Sequence, residues 1–64
     1  PTIGEPIVNT NPGCTHYKSE GVIEDINDLP NEIGTTITYR VTNDGESYTT
    51  GDILTKTPDQ LESL

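Results

Sequence analysis

Cys14 and His16 stand at Cys-x-His spacing beside Tyr17. Such a pair could begin a soft-metal site or a thiol–imidazole dyad. Structural zinc takes four ligands, commonly as two well-spaced pairs, and this sequence offers one pair. Completion would need a second copy of the chain or a carboxylate such as Glu20. As a dyad, side chains at i and i+2 of a strand point the same way, which suits proton transfer between them. No orienting third group is evident, and 64 residues leave little room for a substrate pocket. The plainer role is structural, with Cys14 filling a small apolar hole and His16 hydrogen-bonding locally. No cofactor and no catalytic residue are therefore expected, and Cys14 and His16 are the candidate ligands for a metal.

The acids Glu20, Glu24, Asp25, Asp28 and Glu32 gather in one stretch. Asp25, Asn27 and Asp28 approximate the start of a calcium loop, but the required glycine and terminal glutamate are out of place. A solvated acidic face explains them more simply. Arg40 is expected to neutralise one of these acids at the surface. The net charge of −8, with Lys18, Arg40 and Lys56 the only basic side chains, excludes a nucleic-acid backbone as ligand. No apolar run approaches the roughly 18 residues of a membrane span, and no leader pattern of basic then apolar residues is present. A lone thiol fits a reducing compartment. The expected setting is cytoplasmic, or virion-associated if the gene is a phage's.

The elements that must position these residues are strands. Thr36 to Thr42 alternates strictly, with Ile37, Tyr39 and Val41 on one face and threonines and Arg40 on the other. Asp44-Gly45 then predicts a two-residue type I′ turn leading into a return strand over Glu46–Thr50, with Tyr48 inward opposite Val41. Gly21 to Ile26 reads as a further strand. A regular strand puts Val22 and Ile26 on one face, whereas a bulge at Glu24-Asp25 puts Ile23 and Ile26 there. Glu5 to Val8 is a short strand that Pro6 confines to an edge or to a strand beginning. Asn9 to Gly13 is dense turn chemistry, and Asn27 to Gly34 reads as a loop with Leu29 and Ile33 tucked beneath it. Ile53 to Lys56 is a last strand. Thr57-Pro58-Asp59-Gln60 places Thr at the N-cap, Pro at N1 and Gln at N3, which predicts one helical or 3₁₀ turn over Asp59 to Leu61 with Leu61 pointing inward.

Five short strands, a long early loop, a tight distal hairpin and a late helical turn resemble the SH3-like small barrels, the group that includes KOW and Tudor-type domains. The residues carrying the likeness are Gly4-x-Pro6-Ile7-Val8, Gly21-Val22-Ile23-x-x-Ile26, Tyr39-Arg40-Val41-x-Asn43-Asp44-Gly45 and Gly51-Asp52-x-Leu54. The resemblance implies an all-β, five-stranded SH3-like barrel as a single domain over residues 1–64. The acidic chain, free of alanine and methionine, is also similar in texture to the short orphan proteins of large marine tailed phages. That likeness implies a phage-encoded accessory protein. Tudor-type domains read methylated cations with aromatic cages. Here Tyr39 and Tyr48 fall on the core face, so Tyr17 alone cannot make one. The basic loops of KOW domains are missing as well.

Hydrophobic residues are 28% of the chain, and a single cysteine permits no internal disulfide. Domains this small are hard to stabilise with one core alone, so a partner surface is the obvious further source of burial. We expect a non-catalytic structural or interaction module, either a homo-oligomer or docked on a protein partner, with Ile3, Ile7 and Ile53 as interface residues. The alternative is a small-ligand or metal-binding protein using the Cys14–Tyr17 loop.

Overall fold

The structure, a computed structural model, describes residues 1–29 and 34–64. Glu32 and Ile33 lie outside the described residues. Strand β1 spans Pro6–Asn9 and begins at the residue with no N–H to give. Strand β2, Glu20–Leu29, is longer than expected. Asn27, Asp28 and Leu29, read from the sequence as loop, are strand residues paired with Thr36, Thr35 and Gly34. The Thr35 hydroxyl donates to the Asp28 carboxylate at the solvent side of that ladder.

Of the two phasings open for β2, the bulged one is observed. Ile23 faces Tyr39 and Asp25 faces Thr38, leaving Glu24 as the extra residue. The bulge keeps both Ile23 and Ile26 on the inner face, with Ile23 buried and the half-buried Ile26 packed against the core. Strand β3, Gly34–Val41, carries the alternation as expected, with Ile37, Tyr39 and Val41 all buried.

The distal turn differs from the two-residue hairpin. Val41 N–H donates to the Asp52 carbonyl, and Arg40 pairs with Ile53 of strand β4, Ile53–Lys56. The connection is therefore a long loop, and Glu46–Thr50 is not a strand. Gly45 does not take a positive φ; Gly51, at φ +100°, does. Side chains hold the loop instead. The Asp44 carboxylate accepts from Thr50 N–H and that of Asp52 from Thr49 N–H, both at 2.9 Å. Tyr48 is buried, as expected, but it reaches the core from the loop, with its ring against Gly45. A Cβ at Gly45 would sit 2.3 Å from the Tyr48 ring. The glycine is there for close approach, not for turn type.

A 3₁₀ turn follows Thr57 as expected but spans Pro58–Gln60, one residue earlier than Asp59 to Leu61. The capping contact is side chain to side chain, with the Gln60 amide donating to the Thr57 hydroxyl at 3.0 Å. Leu61 packs against the core and opens a strand absent from the sequence reading, β5, Leu61–Ser63.

The five strands form one antiparallel sheet in the order β4-β3-β2-β1-β5. The all-β class and the strand number stand; the closed barrel does not. Among the described residues no ladder joins β4 to β5, so the sheet is open. The physical reason is length. The outer strands have four and three residues, too short to reach around to each other. The sheet nevertheless curls, since Leu54 of β4 and Leu61 of β5 both pack on the cluster of Ile7, Ile23, Ile37, Tyr39, Val41 and Tyr48.

Tyr39 sits at the centre, fully buried, with its hydroxyl 2.7 Å from that of the equally buried Ser19. Tyr39→Phe leaves the Ser19 hydroxyl without a partner and should lower stability by about 1–3 kcal/mol. Adding Ser19→Ala should recover part of that loss in urea titrations, because both members are then gone. A double mutant as unstable as the sum of the singles would show that the pair does not act as a unit.

Candidate functional site

Two places on the molecule gather groups that could do more than hold the fold. The first is the loop between β1 and β2. Asn9 ends β1 fully buried, and its side chain organises the turn behind it. Its carbonyl oxygen accepts from Asn11 N–H at 2.9 Å, and Asn11 repeats the move on Gly13 N–H at 3.0 Å. These stacked Asx turns swing Cys14 back over Asn9, whose amide points at Cys14 Sγ from 3.6 Å. Lys18, in the left-handed region at φ 73°, returns the chain to β2.

The thiol is half-buried and ringed by donors. His16 N–H lies 3.4 Å from Sγ and His16 Nδ1 3.9 Å. Lys56, at the end of β4, brings its ammonium to 2.9 Å from His16 Nδ1. An ammonium can only donate, so Nδ1 accepts and the imidazole proton resides on Nε2. Burial pushes the Cys14 thiol up, but the His16 N–H, the Lys56 ammonium and the Asn9 amide together outweigh it and hold the thiol below its ordinary range.

The expected pair does come together, with a composition unlike a metal centre. Lys56 occupies the ring nitrogen that faces the sulfur, and among the described residues no group of three or more His, Cys, Asp or Glu side chains converges. The same contact removes His16 as a base for Cys14. Sequence reasoning missed Asn9 and Lys56. Asn9 reads as ordinary turn chemistry, and nothing marks Lys56, which reaches the loop from the opposite end of the chain.

The second place is a cleft of about 120 Å³ over the inner face of the sheet. Ile7, Ile23 and Ile37 line it, with Leu61 and Pro58 on one side and Glu5, Glu62 and Ser63 near β5. It lies on the side where the sheet fails to close, and the three isoleucines on its floor are themselves buried. Of the expected interface residues, Ile3 and Ile53 are each 56% exposed, and Ile53 lies on the β4 edge. Ile7 differs from them, since its side chain is buried in the core and lines the floor of the cleft. Tyr48 and Tyr39 are core residues, which leaves Tyr17 without aromatic companions; the Lys18 ammonium lies 5.5 Å above its ring.

Alkylation of Cys14 by iodoacetamide should show its rate midpoint at lower pH than a free cysteine, because the thiolate persists to lower pH when its pKa is depressed. Lys56→Gln should move that midpoint upward, and an unmoved midpoint would remove Lys56 from the sulfur's environment. Comparison of the chain with protein-family models, curated proteins and solved structures finds no match.

Proposed function

We propose that this chain is a non-catalytic protein-interaction module that docks on a partner protein through the open side of its sheet. One observation supports the reading: the cleft between β5 and the 3₁₀ turn is floored by the core residues Ile7, Ile23 and Ile37, themselves buried, so that a side chain seated there would pack directly on the core. A small domain with few buried apolar side chains gains from packing a further apolar group against its core. Among the described residues no helix is long and apolar enough to cross a membrane. The carboxylates that dominate the surface argue against a nucleic-acid partner. A small accessory protein of the phage-encoded kind, in cytoplasm or virion, is consistent with the chain's size and acidity.

Self-association is a second reading, and it rests on a different surface. Ile53 stands exposed on β4, a strand paired on one side only among the described residues. Edges of this type recruit further strands unless charge or twist prevents it.

Both readings are open to measurement. Titrating an isotopically methyl-labelled sample with a short branched alcohol such as isopentanol should shift the Ile7, Ile23 and Ile37 methyl resonances together. Methyls that stay put at millimolar probe would end the cleft reading. For the edge, sedimentation should show association that tightens with salt as self-repulsion at −8 is screened. Ile53→Asp should abolish that association. A species monomeric at every concentration and salt would end the second reading and leave the first untouched.

A further inference from the structure

The rim of the cleft specifies its occupant further, and this inference rests on the docking role proposed above. Glu5 and Glu62 stand at the cleft beside β5. Among the described residues neither has a basic side chain as a salt-bridge partner. Arg40 is engaged by Glu24 at 2.9 Å, and Lys56 is at His16. Ser63 hydroxyl and Thr2 N–H both donate to the Glu5 carboxylate, which fixes its position and lowers its pKa, so it is charged at neutral pH.

Pairing sets where a ligand chain could lie. Leu61 and Ser63 face Asn9 and Ile7 across the β1–β5 ladder, so both share the inner face with the cleft, whereas Glu62, opposite Val8, turns to the other face of the same edge. On its other side β5 pairs with nothing among the described residues. A strand laid there would turn alternate side chains toward the cleft. The volume of about 120 Å³ is somewhat below the roughly 150 Å³ cavity that holds a benzene ring, and suits one branched aliphatic side chain.

We infer that the cleft and the β5 edge accept an extended segment of a partner protein carrying one isoleucine, leucine or valine flanked by lysine or arginine. Main-chain bonds to β5 supply adhesion, the aliphatic side chain enters the cleft over Ile7, Ile23 and Ile37, and cations on either side of it meet Glu5 on the cleft face and Glu62 on the other face of the same edge. A second copy of this chain fits poorly at this place, because it brings a charge of −8 and few cations.

Three synthetic peptides of equal length test this: an isoleucine flanked by lysines, the same isoleucine flanked by glutamates, and the lysine frame with serine for isoleucine. Binding is read by isoleucine-methyl shifts and by fluorescence anisotropy. The lysine–isoleucine peptide should bind tightest and lose affinity in 0.5 M salt. Glu5→Gln and Glu62→Gln should each weaken it about threefold, and together about tenfold, the scale of exposed charge pairs. Equal binding of the lysine- and glutamate-flanked peptides would overturn the inference. If isopentanol still shifts the three isoleucine methyls, the docking reading survives that result. If neither peptide nor alcohol moves them, both fall.

Discussion

The Tyr39 ring lies across the backbone of β2 at Gly21, and most of the fold follows from that contact. A methyl on Gly21 would stand 2.5 Å from the Arg40 carbonyl and 2.6 Å from the Tyr39 ring. No side chain therefore fits between the two central strands at that level. With the ring seated, its hydroxyl reaches Ser19 and fixes the point where the β1–β2 loop ends. Asn43 completes the brace from the other side. Its side chain accepts from Glu20 N–H at 2.8 Å and donates to the Lys18 carbonyl at 3.2 Å. Both long loops are thus tied to one spot beside the buried tyrosine. The core is small, but its polar atoms are satisfied: among the described residues no buried side-chain nitrogen or oxygen lacks a partner.

Opening and curling of the sheet come from the same few features. The bulge at Glu24 increases local twist and turns the far half of β2 inward, so that Ile26 can join a core otherwise built by Ile23. That coiling brings the two edges toward each other. The outer strands end too soon to exploit it, and the 3₁₀ turn, which packs on β3, takes space a longer β5 would need. A gap over three isoleucines is the result. The resemblance to small barrels thus holds for class and strand number and stops at closure.

What could be read in advance depended on how local the cause was. The alternation of Ile37, Tyr39 and Val41 is a property of consecutive residues, and it placed β3 correctly. Thr57-Pro58 likewise fixed the 3₁₀ turn, because proline's φ and missing N–H act within one turn. The bulge was legible as one of two choices. The Asp44-Gly45 signal misled because its cause is not local. Tyr48 needs a bare Cα to rest on, and Asp44 is employed as a cap for Thr50. A turn propensity lost to a tertiary contact. β5 carries only three residues, Leu61–Ser63, and owes its conformation to pairing with β1, so no pattern in the sequence announces it. The cleft was invisible for a similar reason, since a gap is defined by where strands stop. Of the thiol cluster, Cys14 and His16 were legible by spacing, whereas Asn9 and Lys56 arrive by topology.

The three basic side chains show how the surface charge is divided. Arg40, on the outer face, pairs with Glu24 across the β2–β3 ladder in an exposed contact worth about 0–1 kcal/mol. Lys56 is drawn to the thiol loop, where it orients His16 and favours the charged sulfur. Lys18, held in a left-handed conformation, covers the Tyr17 ring. At the cleft the Glu5 carboxylate is held by the Ser63 hydroxyl and Thr2 N–H, not by a basic side chain. The apolar floor follows from strands that end early, and the acidic rim from Glu5 and Glu62 with Arg40 and Lys56 engaged elsewhere.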